Sequence, residues 1–456
     1  MQENSKEYLG KEDINKLFWK LSLPAIIAQL INMLYNIVDR IYIGHISDHG
    51  SLALTGVGVC MPIIVVVSAF AAFAATGGAP RASIFMGKGK KDTSEKILGG
   101  AFSMQVIISI VLTLILLIFG KSFLLSFGAS KNTINYALEY LNIYSLGTIF
   151  VELTLSMNAF ITAQGDAKTA MYTVLIGALI NIVLDPILIF MFKMGVRGAA
   201  LATIISQAIS CVWVVKFLTS EKSYMKLKKE NLFVSFNKYI LPSILLGLAT
   251  FIMQSSEAIL GIVFNSSLLK YGGDIAVGAM AILTSVTMFV LLPLQGMGQG
   301  AQPITSYNFG AGKVDRVRGS FKVLIKYSLT YSTIMWLIIM IFPQVFARIF
   351  TPDKNLVAFT SWAIRIYGAG IFVMGIQLAC QMSFVAIGSA KVSIAVAVLR
   401  KFVLLIPLIY ILPNFLANKV FAVYLAEPVA DFTAVICTMI LFKIYFAKAL
   451  IEKVSV

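Results

Sequence analysis

Long apolar runs alternate with short polar stretches along the whole chain. A helix needs about 20 apolar residues to cross the hydrocarbon core of a bilayer. Runs such as 106–120 are longer than the roughly ten-residue alternating strands of an outer-membrane barrel. The pattern therefore predicts an all-α polytopic membrane protein. Its twelve transmembrane helices are predicted to begin near residues 17, 53, 97, 132, 169, 197, 238, 275, 321, 356, 392 and 419.

The composition indicates that the lipid bilayer is the main partner of this chain. Of the 456 residues, 59% are hydrophobic and 13% are charged, whereas a soluble domain has about 25% charged residues. The net charge of +16 comes from basic residues in alternate loops, which face the cytoplasm in membrane proteins. The aqueous segments are too short for a nucleic-acid-binding domain, so no nucleic-acid partner is expected. We expect a multi-pass protein of a bacterial or archaeal cell membrane, with both termini in the cytoplasm.

The two halves of the chain match each other, which indicates an internal duplication. A polar linker at 219–237 separates an amino-terminal lobe, 1–218, from a carboxyl-terminal lobe, 238–456. Six helices per half give both copies the same orientation, so the repeat is parallel, as in transporters whose lobes rock around a central cavity. Glycines, prolines and loop charges recur at a constant offset of 223: Gly77 with Gly300, Pro80 with Pro303, Gly87 with Gly310, Lys90 with Lys313, and Gly165 with Gly388.

Polar side chains of the amino-terminal lobe fall at one depth in the membrane. Counting 1.5 Å per residue from the predicted helix ends places these side chains roughly 9–12 Å below the outer boundary. An ionised carboxylate there costs roughly 2.5–3.5 kcal/mol on insertion scales, and oxygen ligands suit a hard cation or a shared proton. We therefore predict a coupling-ion site, although a structural hydrogen-bonded pair is the simpler alternative. Its members are Asp39, Tyr140, Asn181, Asp185 and Thr203.

The carboxyl-terminal lobe offers weaker candidates for an ion site. The Leu-Pro pairs at 23–24 and 241–242 give an offset of 218, which places Glu257 opposite Asp39. Glu257 and, on the tenth helix, Gln377 are interpreted as secondary cation or substrate contacts, and a structural role is the alternative for Glu257. Glu427 and Asp431 lie one turn apart on the last helix and could form a second-lobe site.

Three stretches resemble the multidrug and toxic compound extrusion (MATE) family over nearly the whole chain. They are LP…YNIVDRIYIG on the first helix, GGAPRASIFMGKGKKD repeated as GQGAQPITSYNFGAGKVD, and NIVLDPILIF…GVRGAALAT on helices five and six. NIVLDPILIF is similar to the prokaryotic branch that contains the staphylococcal multidrug exporter and the DNA-damage-inducible type. The resemblance implies two six-helix lobes forming a V, and alternating access.

The resemblance also implies a function and roles for particular residues. It implies a monomeric antiporter, not an enzyme, that exports organic cations in exchange for Na⁺ or H⁺ and needs no other cofactor. The positions that match the family's first-lobe ion site, and that would bind Na⁺ in a sodium-coupled member, are Asp39, Asn181, Asp185 and Thr203. The family's second-lobe site combines an acid at the position of Glu257 with a tenth-helix aspartate. Here the tenth helix has Gln377 and no acid, which favours the first lobe.

Soft, aromatic and amide side chains are candidates for contacting a drug. Methionine and aromatic faces adapt to varied planar cations. The alternative for each residue is ordinary packing between helices. Tyr35 and Asn158 match drug-contacting positions of the family. The full set of substrate candidates is Asn32, Tyr35, Asn36, Asn158, Met253 and Gln254.

Two other functions are alternatives. A lipid-linked precursor flippase of the same superfamily should have a basic cavity that binds pyrophosphate. The basic residues well inside the predicted spans are not expected to cluster in the central faces: Arg40, Arg365, Arg400 and Lys401. An intramembrane enzyme would need a catalytic motif such as HExxH or GxSxG, and the chain has neither. Its two histidines, His45 and His49, belong to an outer loop, where they could bind zinc only adventitiously.

Overall fold

The structure is a computed structural model that describes residues 7–46 and 50–454. His49 lies outside the described residues, and so do the side chains at 50, 51 and 452–454. Six membrane spans form the amino-terminal half: span 1, Ile14–Gly44; span 2, Gly50–Ala69, Phe73–Gly78 and Ala79–Gly87; span 3, Lys91–Ser126; span 4, Ile134–Leu146 and Thr148–Ala163; span 5, Ala167–Pro186 and Ile187–Met191; span 6, Val196–Thr219.

The carboxyl-terminal half repeats this plan. A short helix, Pro343–Phe350, lies between its third and fourth spans. The spans are: spans 7 and 8, within Phe236–Ile240 and Leu241–Gly310; span 9, Val314–Ile341; span 10, Lys354–Tyr367, Gly368–Val373 and Met374–Ala386; span 11, Ala390–Val398, Leu399–Leu405 and Ile406–Phe415; span 12, Lys419–Leu441, Phe442–Phe446 and Ala447–Val454.

Spans 7 and 8 belong to one helical segment that turns back on itself. Leu241–Gly310 has 70 residues, which would extend about 105 Å as a straight helix, far more than a bilayer requires. Gly273 interrupts it with φ 67° and ψ −164°. Ser243 and Tyr307, near its two ends, both contact span 2. With the bent pair of span 4 counted as one, the described residues form twelve spans and no β-strand, which confirms the predicted fold class.

The two lobes join near the loops that carry the lysine-rich segments, a side of the molecule that we call the basic face. A methyl group on Gly87 would lie 2.0 Å from the carbonyl oxygen of Tyr307, and one on Gly310 would lie 1.9 Å from that of Ile84. These two contacts are equivalent under the internal repeat, because Gly87 corresponds to Gly310 and Ile84 corresponds to Tyr307 at the offset of 223. We call this pair of contacts the glycine crossing. Only glycine permits such a close approach of two backbones.

The packing of spans 1 and 7 corrects the predicted register between them. Gly300 contacts Ser22, and its counterpart Gly77 contacts Ser243. Ser22 and Ser243 differ by 221 rather than 218. The position equivalent to Asp39 is therefore 260, one helical turn beyond Glu257. The prediction based on the Leu-Pro pairs was wrong because these pairs occupy different turns of the two helices.

Residues 7–13 form a strap across the basic face that bonds to both lobes. The Tyr8 hydroxyl donates to the carbonyl oxygen of Gly165 at 2.8 Å, in the loop between spans 4 and 5. Burial raises the pKa of Tyr8, so this donor keeps its proton. On the other lobe, the Arg316 guanidinium donates to the carbonyl oxygens of Leu9 and Glu12 at 3.2 and 2.7 Å. The strap therefore holds the lobes together where the glycine crossing joins them.

The linker between the lobes packs against the amino-terminal lobe. Lys228 Nζ lies 2.7 Å from the buried carboxylate of Glu95 on span 3. The backbone of Asn231 approaches Gly99 so closely that a methyl group there would lie 2.2 Å from the Asn231 carbonyl oxygen. The division into domains at 1–218, 219–237 and 238–456 stays a prediction.

Candidate functional site

The structure brings together the two acids of the amino-terminal lobe. Asp39 on span 1 and Asp185 on span 5 are buried, 6% and 0% exposed. Their carboxyl groups are within hydrogen-bonding reach of each other. Two carboxyl groups in this position repel each other when both are ionised, so the pair is stable when it shares a proton or a cation.

Several oxygen atoms at the acid pair have no hydrogen-bond partner. Asn181 lies one turn before Asp185 and donates its Nδ2 to Asp185 Oδ1 at 3.4 Å. Three buried oxygens have no hydrogen-bond partner: Asp39 Oδ1, Asn181 Oδ1 and Asp185 Oδ2. Buried polar atoms without partners are rare in folded proteins. Their chemistry fits a proton or a hard cation such as Na⁺, which binds carboxylate and carbonyl oxygens.

Two hydroxyl groups complete the predicted layer. Tyr140 on span 4 is 3% exposed, interacts with Asp39 and lies within hydrogen-bonding reach of the Thr203 hydroxyl on span 6. Tyr35 on span 1 lies near both Asp39 and Asp185. The predicted depth therefore corresponds to a real meeting point of four spans. Among the described residues, no three His, Cys, Asp or Glu side chains form a metal-binding group.

Pro186 changes the geometry of span 5 beside the acid pair. The α-helix Ala167–Pro186 passes directly into a π-helical stretch, Ile187–Met191. Proline has no backbone N–H, which frees one carbonyl of the preceding turn, and π-helical turns often mark functional positions. Span 1, by contrast, is one continuous helix through Asp39.

The acids of the carboxyl-terminal lobe have charged partners instead. Arg400 on span 11 donates Nε to Asp431 Oδ1 at 2.6 Å and Nη2 to Glu427 Oε1 at 3.0 Å. Both acids lie on span 12 and are buried. A guanidinium that binds two carboxylates occupies the position that a free cation would take. The predicted weak ion site at Glu427 and Asp431 is therefore already filled by a side chain.

Glu257 is also paired with a basic residue. Lys401 Nζ lies 2.6 Å from Glu257 Oε1, so Lys401 is the partner of this acid. The side-chain oxygen of Gln377 is buried and has no hydrogen-bond partner. Arg400 and Lys401 both lie on the π-helical stretch Leu399–Leu405 and bind acids of spans 12 and 7, pairings that the sequence analysis does not predict. Two acids one turn apart on span 12 and an Arg-Lys pair within span 11 were the signals that could have predicted this.

The substrate candidates have mixed surroundings. Tyr35 and Asn36 are half-buried, while Asn32 and Gln254 are exposed. Asn158 Nδ2 donates to the carbonyl oxygen of Ala170 at 3.1 Å, which gives it a structural role between spans 4 and 5. Met253 is half-buried on span 7.

An aromatic cluster between the lobes was not predicted. Phe251 on span 7 contacts Phe70 and Phe73 of span 2, with ring centroids 4.8 and 5.2 Å apart. Phe251 is two residues before Met253 on span 7. The residues of the cluster could have been found only by knowing that spans 2 and 7 pack together.

Fold and site together define a class of membrane protein. Two parallel six-span repeats, joined at one face and carrying a buried carboxyl pair in one lobe, form the architecture of a membrane transporter. The chain belongs to the MatE family, whose model matches residues 24–187 and again residues 249–411. The two matches fall one in each lobe, in agreement with the duplication. Members of this family are transporters, not enzymes.

The similar curated proteins are full-length counterparts of this chain. A multidrug export protein MepA from Staphylococcus haemolyticus is 26% identical over 437 residues, which cover 95% of each chain. A multidrug export protein MepA from Staphylococcus aureus strain NCTC 8325 is 25% identical over 456 residues, which cover 97% of each chain.

Solved structures share the fold at lower identity. A MATE structure in the bent conformation has a TM-score of 0.91 at 22% identity and covers 99% of both chains. An outward-facing multidrug resistance MATE transporter has a TM-score of 0.89 at 23% identity and covers 98% of both chains. A transporter of the MOP superfamily from Pyrococcus furiosus, whose binding pocket is of reverse polarity, has a TM-score of 0.90 at 23% identity and covers 98% of both chains.

Proposed function

We propose that this protein is a secondary antiporter that exports organic cations in exchange for H⁺ or Na⁺. One observation carries the proposal: Asp39 and Asp185 are buried together, and two of their carboxyl oxygens have no hydrogen-bond partner. Such a pair needs a bound proton or cation, and the chain belongs to a transporter family. The curated relatives named multidrug export proteins support drugs as the cargo. The basic face is the cytoplasmic face, because basic loops stay in the cytoplasm.

Binding of the ion and binding of the drug oppose each other in this mechanism. A proton or Na⁺ between Asp39 and Asp185 removes their repulsion and draws spans 1 and 5 together. Tyr35 lies beside this pair on span 1, so the same movement alters a surface that faces the drug. Linkage is reciprocal: the ion weakens drug binding by the factor by which the drug weakens ion binding.

The charge pairs of the carboxyl-terminal lobe support coupling through one lobe. Arg400 and Lys401 already neutralise Glu427, Asp431 and Glu257 in part. Because both basic side chains are paired, they offer no free cation to a pyrophosphate, which speaks against a flippase of lipid-linked precursors.

The test uses the purified protein in lipid vesicles loaded with ethidium, a planar organic cation. Na⁺ and pH gradients are imposed separately, and ethidium export is followed by fluorescence. We expect Asp185→Asn to abolish gradient-driven export, because an amide cannot share a proton or balance the charge of a cation.

Asp274→Asn is the matched control, since it removes the same charge from an exposed position at the turn between spans 7 and 8. This control should export at the parent rate. Gradient-driven export that is unchanged in Asp185→Asn would overturn the mechanism.

A further inference from the structure

We infer that Glu152 is a second proton-binding site of the amino-terminal lobe, separate from the Asp39–Asp185 pair. The inference rests on the proposed antiport and specifies the proton as a coupling ion. Glu152 lies on span 4 and is 0% exposed. Neither of its carboxyl oxygens has a hydrogen-bond partner. A carboxyl group in this position is not explained by packing alone.

The surroundings of Glu152 contain nothing to balance a negative charge. Its helix, Thr148–Ala163, packs against spans 2, 3, 5 and 6 and against the segment Leu241–Gly310 that contains spans 7 and 8. Among the described residues, no charged side chain from these spans interacts with Glu152, and the titratable group beside it is the Tyr144 phenol. An unpaired carboxylate is strongly disfavoured in an apolar interior, whereas the neutral acid is tolerated. The structure therefore fits Glu152 with a proton bound.

Two tyrosine side chains lie between Glu152 and the acid pair. Tyr140 and Tyr144 are one turn apart on the helix Ile134–Leu146. Glu152 follows on the helix Thr148–Ala163, which is bent by 56° from the first, and the Tyr144 phenol is near enough to interact with it. The Tyr144 ring lies against the Tyr140 ring, with centroids 6.3 Å apart and planes 14° apart. Tyr140 in turn interacts with Asp39. Ser68 of span 2 is a further polar neighbour of the Tyr144 phenol.

This arrangement gives a proton a second place to reside. When water enters the lobe, a proton that the acid pair releases passes through that water to the Glu152 carboxylate, which becomes the neutral acid, and the Tyr140 and Tyr144 phenols keep their own protons. When water reaches Glu152 from the basic face, the carboxyl group gives the proton to water and becomes a carboxylate. No other bond forms or breaks in either step.

Infrared spectroscopy of the purified full-length protein tests whether Glu152 holds a proton. The C=O stretch of a protonated carboxylic acid is separate from the bands of carboxylates. We expect Glu152→Gln to lose part of this signal relative to the parent at neutral pH. Glu139→Gln removes an acid from the exposed end of the same span, where Glu139 pairs with Arg197, and should keep the signal. Identical spectra for the parent and Glu152→Gln would overturn the inference.

Transport in vesicles tests whether the proton matters. Glu152→Gln should lose ethidium export driven by a pH gradient and keep ethidium exchange without a gradient, which needs only a folded protein that turns over. Glu152→Asp should retain the infrared signal and part of the proton-driven export. If Glu152→Gln does not fold, Glu152→Asp decides: loss of both readouts in a folded protein contradicts the inference.

The outcomes separate this inference from the proposed antiport. Export that a Na⁺ gradient drives and a pH gradient does not would overturn the role of Glu152 and leave the antiport standing. Export that survives Asp185→Asn would overturn the antiport through the acid pair, whatever Glu152 does.

Discussion

Buried acids in the two lobes are neutralised in different ways. Asp185 faces another carboxyl group and an amide, whereas Asp431 faces the guanidinium of Arg400 at 2.6 Å. In a medium of low dielectric constant, an acid needs either a bound proton or cation or a fixed positive side chain. The first arrangement is exchangeable and the second is permanent. This difference in partners is the reason why we assign coupling to the amino-terminal lobe.

Arg400→Gln should destabilise the protein strongly. The change leaves Glu427 and Asp431 buried without their cation, and removing one partner of a buried ion pair costs about 3–5 kcal/mol. Arg197→Gln breaks the exposed pair with Glu139, whose atoms are 2.8 Å apart, and should cost at most about 1 kcal/mol. Thermal unfolding of the two variants in detergent measures the difference. Equal losses of stability would contradict a buried and tightly paired Arg400.

The depth of a polar residue could be predicted from the sequence, but its partner could not. Counting from the helix ends gave Asp39, Tyr140 and Asp185 the same depth, and the structure brings them together. The partner of Glu257 was not predicted, because the rotation of span 11 decides which way Lys401 points. Glu152 was missed because it lies beyond the counted layer and has no second acid near it in the sequence.

At the scale of the helices, the largest errors fall where a span extends into water. Span 3 begins at Lys91 and its counterpart, span 9, at Val314, whereas apolar runs predicted starts near 97 and 321. The first turns of both helices are helical but polar. A hydropathy window identifies apolar segments, so it does not include these polar turns in the predicted span.

The strap at residues 7–13 is an element with a testable role. Arg316→Ala removes two charged hydrogen bonds to its backbone, each worth about 1.5–3 kcal/mol. Because Asn308 and Lys313 still bind the strap, we expect about tenfold faster hydrogen–deuterium exchange at residues 7–13, which corresponds to a loss of about 1.4 kcal/mol.

Arg318→Ala is the control for this change. It removes an exposed arginine from the same helix, and exchange at the strap should match that of the parent. An unchanged strap in Arg316→Ala would mean that these bonds do not hold it.

At the scale of the whole molecule, the lobes meet through repeated contacts. The glycine crossing pairs Gly87 with Tyr307 and Gly310 with Ile84. In each contact, a glycine of one lobe lies against a backbone carbonyl oxygen of the other lobe. The joint at the basic face is therefore symmetric, although the charged sites above it are not.

Gly87→Ala should push the lobes apart at the basic face. Its methyl group would lie 2.0 Å from a backbone oxygen, and no side-chain rotation relieves such a contact. We expect the distance between spin labels at the exposed positions Lys90 and Arg318, in a cysteine-free background, to be longer than in the parent when measured by double electron–electron resonance. Gly310→Ala should have an equal effect, because it disturbs the equivalent contact at 1.9 Å.

Gly58→Ala is the matched control, since a methyl group there meets nothing within 4 Å. Its distances should equal those of the parent. A difference between Gly87→Ala and Gly310→Ala larger than that between Gly58→Ala and the parent would show that the crossing is not symmetric.

The crossing also bears on how such a chain could arise. One six-span half contains both surfaces of the contact, the notch at Gly87 and the ridge at Ile84, so two separate copies of it would fit each other about an axis normal to the bilayer. Fusing the copies alters no residue of that contact. Fusion lets each half acquire its own substitutions. Here the amino-terminal half carries two acids that face each other, and the carboxyl-terminal half carries acids that are paired with its own arginine and lysine.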